Sequence, residues 1–115
     1  MSKSPAPVSA VIPAYNHEAF VADAIASVQA QTLPVAEILL IDDGSTDRTG
    51  EIAQRMGVRV IRHSNVGLAA NRNWCVREST QPWIAFLDSD DIWEPEKIET
   101  QMRMAESDPE IALIT

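Results

Sequence analysis

Cysteine is almost missing from this chain. Cys75 stands alone among 115 residues, which excludes an internal disulfide and a cysteine-based metal centre. Positive charge is scarce as well: nine Lys and Arg face seventeen Asp and Glu, for a net charge of −8. Such a balance repels a phosphate polymer and leaves no basic face for counterion release, so nucleic acid is not an expected partner. It also repels a small phosphorylated ligand unless a cation sits between that ligand and the protein's carboxylates. No apolar run approaches the ~18 residues of a membrane span, and Met1–Pro7 has no apolar segment of the signal-peptide type. The expected location is the cytoplasm, with peripheral attachment at the inner face of a membrane left open.

What remains is ordinary globular material, 45% hydrophobic and 23% charged, with only four glycines. The length suits one small domain with a real core and no large second lobe. Residues 1–7 are expected to form a flexible tail, and residues 8–115 the domain.

Val8–Ile12 is a β-branched apolar run closed by Pro13, the pattern of a buried strand. Asn16 is placed to cap a helix whose apolar positions are Phe20, Val21, Ala24, Ile25 and Val28, ending before Pro34. Ile38–Ile41 repeats the strand pattern, and the polar run from Asp42 to Asp47 offers a turn and N-caps for a helix ending near Gly57. A strand over Val58–Ile61, a helix from Gly67 to about Glu78 and a strand over Trp83–Leu87 follow. Pro95 suits a first helical turn, Ile98, Met102 and Ala105 mark the buried side of a fourth helix, and Ile111–Ile114 reads as a fifth strand. The alternation predicts an α/β fold, a Rossmann-like parallel sheet with helices on both faces.

In such sheets ligands bind beyond the carboxyl ends of the strands, where strand order reverses. Chemistry is therefore sought in the loops Pro13–Asn16, Asp42–Ser45, His63–Asn65 and Asp88–Asp91. Asp88, Asp90 and Asp91 put three carboxylates within four residues, and two such charges ~4 Å apart repel by about 4 kcal/mol at an effective dielectric of 20. Mg²⁺ or Mn²⁺ offsets that repulsion with one or two carboxylates, leaving positions for water and phosphate oxygens. The bland alternative is a solvated turn whose charge favours the start of the next helix. Asp42 and Asp43 can accept hydrogen bonds from a ribose or base, or can serve as turn and cap residues. Tyr15 can stack on a nucleobase or cover the sheet edge. Asn65, Gly67, Asn71 and Arg72 open the third helix, where N–H groups and Arg72 can hold a phosphate, although Arg72 also suits a surface ion pair. His17 and His63 lack zinc spacing, Cys75 reads as a small buried helix residue, and Trp74, Trp83 and Trp93 read as packing groups; none receives a catalytic role.

Four segments, Val8–Asn16, Ile41–Asp47, Gly67–Asn73 and Phe86–Trp93, closely resemble the pattern of glycosyltransferase family 2 in order and spacing. The resemblance runs from Val8 to Thr115. It implies a GT-A fold, here its nucleotide-sugar-binding half, and a donor that is commonly a UDP-sugar with Mn²⁺ or Mg²⁺. By motif position, Pro13 and Tyr15 match residues lining the base pocket, and Asp43, with Asp42 beside it, matches the acid at the nucleoside. Asp90 matches the metal ligand, Asp88 the other arm of the Asp-x-Asp motif, and Arg72 a residue near the donor. The implied reaction is inverting transfer to a hydroxyl of a carbohydrate or lipid-linked acceptor. The family's usual base lies in a second half, expected beyond Thr115, so this chain alone is expected to bind donor and to transfer sugar poorly or not at all. Sheet edge and helix surface uncovered by such a truncation would favour self-association.

Other classes share parts of this pattern. Haloacid-dehalogenase-like phosphatases place Asp-x-Asp on the first strand and need a downstream Lys and acidic pair. Phospho-acceptor signalling domains carry an acidic pair after the first strand, where this chain has Tyr15-Asn16. A nucleotide-binding module without catalysis overlaps the main reading.

Overall fold

A computed structural model describes residues 4–107. Their order is β1 (Ala6–Ala14), α1 (Val21–Gln29), β2 (Val35–Asp42), α2 (Thr49–Arg55), β3 (Arg59–Arg62), α3 (Leu68–Glu78), β4 (Trp83–Phe86) and α4 (Lys97–Ser107). The strands form one parallel sheet in the order β3-β2-β1-β4. The chain steps outward from β1 to β2 to β3, then returns to the other side of β1. Strand order thus reverses between β1 and β4, and the loops after those two strands open side by side at the reversal. The expected fifth strand at Ile111–Ile114 lies outside the described residues.

Residue alternation divides the core between two faces. On one face Val8, Ala10, Ile12 and Ala14 of β1 and Leu40 of β2 pack against α1, α2 and α4 through residues such as Ile25, Ala53 and Ile98. On the other, Val11, Leu39 and Ile41 meet Cys75 of α3, with Trp74 and Phe86 half-buried around them. Burial pushes the Cys75 thiol up to about 12 against the opposing pull of Arg72, so this cysteine is a packing group and not a nucleophile.

Three local expectations need correction. β1 begins at Ala6, whose N–H donates to Pro34 O at 2.7 Å and which is buried, so the tail does not extend to residue 7. Pro13 does not close β1, because the strand runs on to Ala14. Val11, two residues earlier and on the same side of the backbone, accepts from Leu87 N–H on the β4 side. The regular pairing with β4 ends at Val11 and Phe86, so the N–H that Pro13 lacks has no strand to meet. Asn16 does not cap α1; it adopts a left-handed φ of 52°, which asparagine tolerates better than most residues. The α1 N-cap position is Phe20, an exposed residue with no capping side-chain bond.

Candidate functional site

The β2 end is a hydrogen-bonded frame. Asp42 and Asp43 are both buried, and strand alternation sends them to opposite faces. Asp42 turns toward α2: its Oδ1 accepts from Ser45 N–H at 2.9 Å and its Oδ2 faces Arg62 Nη1 at 3.4 Å. A Cβ on Gly50 would stand 2.6 Å from that Oδ2, so α2 can approach this carboxylate only with glycine there. Asp43 turns toward α3 and accepts from Val66 N–H at 2.8 Å and Gly67 N–H at 3.1 Å. Between Asp43 and Ser45, Gly44 takes a φ of 77°, and a Cβ there would lie 2.9 Å from Asn65 N. The Asp-Asp-Gly-Ser run is thus one device that joins α2, β3 and the loop before α3.

Asn16 ties the β1 loop to this frame. Its N–H donates to Ser45 Oγ at 2.9 Å, and its Oδ1 accepts from Thr46 N–H at 2.8 Å. Asp47 accepts from Thr49 N–H at the start of α2 and from Glu18 N–H. Burial works against the Asp47 charge, but these bonds, with that from the Thr49 hydroxyl, outweigh it and hold the carboxyl below its ordinary value of 3.8.

The β4 end is built differently. Its backbone is anchored: Ser89 is buried against His17 Nδ1, Asp91 N–H donates to Asp88 O at 3.0 Å, and Trp93 N–H donates to Ser27 Oγ at 3.0 Å. Further along, Gln31 holds Glu94 O and Ile98 N–H. The carboxylates of Asp88 and Asp90 instead stay open, each a little over half exposed. The Asp90 carboxylate accepts no recorded hydrogen bond among the described residues; His17 Nε2 lies 4.0 Å from it. Among the described residues the Asp88 carboxylate meets Arg72, at 3.3 Å. Asp91 is exposed, and its Oδ1 accepts from Ile92 N–H.

Pro13, Tyr15, Asp43, Asn65, Asp88 and Asp90 all line a single cleft of about 410 Å³ at the strand-order reversal. That volume lies within the range of small-ligand sites. Six residues far apart in sequence therefore meet where the topology directs a ligand. Two others do not join them. Asp42 is on the α2 side of the sheet, and Arg72 lies over the Phe86 ring, 5.1 Å from its centroid, along a neighbouring groove of about 530 Å³. The N–H groups of Val66 and Gly67 are taken by Asp43, so these two donors just before α3 do not face the cleft as a free anion cradle.

Asp90 offers hard oxygen donors, and Asp88 keeps free lone pairs beside its single contact to Arg72, a set that suits Mg²⁺ or Mn²⁺. Among the described residues no group of three or more His, Cys, Asp or Glu side chains is gathered to hold an ion. The donor set therefore fits a cation shared with a ligand's oxygens better than one caged by protein alone.

Residues left without a role by sequence reasoning also line or support the cleft. His17 and Asn71 line it. His63, nearly buried, places Nε2 2.9 Å from Asn71 Oδ1 and Nδ1 2.7 Å from Ser64 O and 3.4 Å from Asp43 Oδ1. Its position just after β3, at the ligand edge of the sheet, was the signal available for it.

The sequence model of glycosyl transferase family 2 matches residues 9–115. The chain belongs to this family. It is 42% identical over 103 residues to a glycosyltransferase of Rickettsia felis described as uncharacterized, covering 86% of this chain and 17% of that protein. It is 37% identical over 102 residues to TuaG of Bacillus subtilis, described as a candidate teichuronic acid biosynthesis glycosyltransferase, covering 83% of this chain and 40% of that one. This family 2 chain thus spans less than half the length of either relative. Its fold is similar to that of S. aureus TarS in complex with UDP-GlcNAc, with a TM-score of 0.81 and 25% identity over 87% of this chain and 31% of TarS. It is also similar to glucosyl-3-phosphoglycerate synthase of Mycobacterium tuberculosis in complex with Mn²⁺ and UDP, with a TM-score of 0.65 and 27% identity over 71% and 33% of the two chains. Membership removes the phosphatase and phospho-acceptor readings, and the parallel sheet with helices on both faces is the GT-A-like half that the motifs implied.

Proposed function

We propose that the cleft at the β1/β4 reversal is the donor site of a metal-dependent, inverting glycosyltransferase that uses a UDP-sugar. The observation that carries this reading is the meeting of Tyr15, Asp43 and the open Asp88/Asp90 pair around one cleft in a family 2 chain. Pro13 and Tyr15 supply an apolar wall for the base, and Tyr15, 44% exposed, has a face free to stack. Asp43, held rigid by two N–H groups, retains lone pairs to accept from the nucleoside. Asp90, with Asp88, would hold Mn²⁺ or Mg²⁺, which supplies positive charge against the diphosphate leaving group. That cation also answers the charge problem of an anion-binding protein that carries −8. Arg72 stays paired with Asp88 at the rim and orients that carboxylate. The reaction also needs a base to accept the proton of the attacking hydroxyl of a carbohydrate or lipid-linked acceptor. UDP recognition draws support from the UDP complexes of the similar structures.

Thermal unfolding with UDP, GDP and ADP, each with and without Mn²⁺, tests the reading. Stabilisation by UDP that requires Mn²⁺ is expected. Equal shifts for all three nucleotides, or shifts indifferent to metal, would contradict it.

A further inference from the structure

We propose that His63 is a positioning residue for the donor site: its ring donates from both nitrogens and thereby fixes the Asp43 carboxylate. The proposal rests on the reading that Asp43 contacts the nucleoside. It comes from an inventory of donors and acceptors around one nearly buried ring, whose side chain is 6% exposed.

Every recorded polar neighbour of the ring is an acceptor. Nδ1 lies 2.7 Å from the Ser64 carbonyl oxygen and 3.4 Å from Asp43 Oδ1, so Nδ1 carries a proton. Nε2 lies 2.9 Å from Asn71 Oδ1. A flipped Asn71 amide would place its nitrogen there, but that nitrogen is committed: Asn71 Nδ2 donates to Ile41 O at 3.1 Å, inside the buried face of the sheet. A flip would set two oxygens against each other at Ile41. Nε2 therefore also donates. A neutral imidazole has one N–H and one bare nitrogen, and in this setting the bare nitrogen would face an oxygen lone pair with no water to relieve it.

Charge accounts for the rest of the arrangement. Asp43, also nearly buried, is the carboxylate within ion-pair distance of the ring, and a buried carboxylate needs such a partner besides its two N–H groups. The Trp74 ring packs on the imidazole with centroids 4.0 Å apart, a contact that favours a cation. Replacing the ring would release Asn71 Oδ1, weaken the hold on Asp43 and loosen the Val66–Gly67 wall that Asp43 pins.

Long-range ¹H–¹⁵N correlation spectra of the ligand-free chain, assigned with His63→Gln, read the ring state without any nucleotide. Both His63 nitrogens are expected to show the protonated shift. One protonated and one bare nitrogen would overturn the proposal. In parallel, calorimetry of UDP with Mn²⁺ is expected to show His63→Gln binding about tenfold more weakly than the wild type, as the charged hydrogen bond is lost. Mn²⁺ alone is expected to bind both proteins equally. Equal UDP affinity in the two proteins would also overturn it. Failure of the wild type to bind UDP would remove the donor reading of Asp43, leaving the nitrogen spectrum to decide the state of His63.

Discussion

The β2 and β4 ends both present acidic loops to the same edge of the sheet, yet they are built in opposite ways. At β2 the carboxylates of Asp42 and Asp43 are buried and accept three backbone N–H groups from two loops. At β4 the backbone is anchored through Ser89 and Trp93, while the carboxylates of Asp88 and Asp90 are left open. One acidic pair organises the protein, and the other is the pair that the proposed function gives to a ligand. An aspartate that satisfies its own neighbourhood stabilises the fold; one held in place without partners adds little stability and keeps its charge available.

The largest effect should follow from breaking the β2 end. Asp43→Ala leaves the N–H groups of Val66 and Gly67 without their acceptor and the ring of His63 without its carboxylate neighbour, and is expected to destabilise the chain by about 3 kcal/mol. Denaturant unfolding checks this, and a loss below about 0.5 kcal/mol would contradict the structural role. Next comes Gly50→Ala, where the new methyl meets Asp42 Oδ2 at 2.6 Å. A loss of about 1–3 kcal/mol is expected from overpacking, despite alanine's better helix propensity. An unchanged midpoint would show that Asp42 moves aside freely.

A smaller effect separates the two ends by acid. The Asp47 carboxyl sits below its ordinary value in the folded chain, so its contribution is complete above pH 3.8 and is lost as pH falls through the lower folded value. Asp47→Asn should therefore flatten the acid limb of the stability curve below that pH. Urea midpoints collected across the acid range would read the difference.

Much of this comparison was legible in the sequence, and what was not has physical causes. The strand runs and the four ligand-edge loops announced themselves because buried parallel strands are short and β-branched, and the Asp-x-Asp loop stood out by charge density. Strand alternation even carried the division between Asp42 and Asp43: counting by two from Leu40 and Ile41 sends one acid to each face. Pro13 was misread because whether its missing N–H matters depends on where β4 stops, over seventy residues later. Asn16 was misread because its partner is not its own helix but Ser45 and Thr46. His63 carried no local motif, and the Gly67–Asn73 motif gave the Asn71 side chain no role, since their meaning lies in a carbonyl of β2 and a carboxylate beyond it.

The central claim is that the open carboxylates serve the ligand and not the fold. The direct test is thermal unfolding of Asp90→Ala beside the wild type, first without ligand and then with Mn²⁺ and UDP. The account predicts ligand-free stability within about 0.5 kcal/mol of wild type. It also predicts that the ~2.7 kcal/mol of stabilisation given by a ligand at 100 times its dissociation constant disappears in the variant. A variant that unfolds early without ligand, or that keeps the full response to Mn²⁺ and UDP, would contradict it.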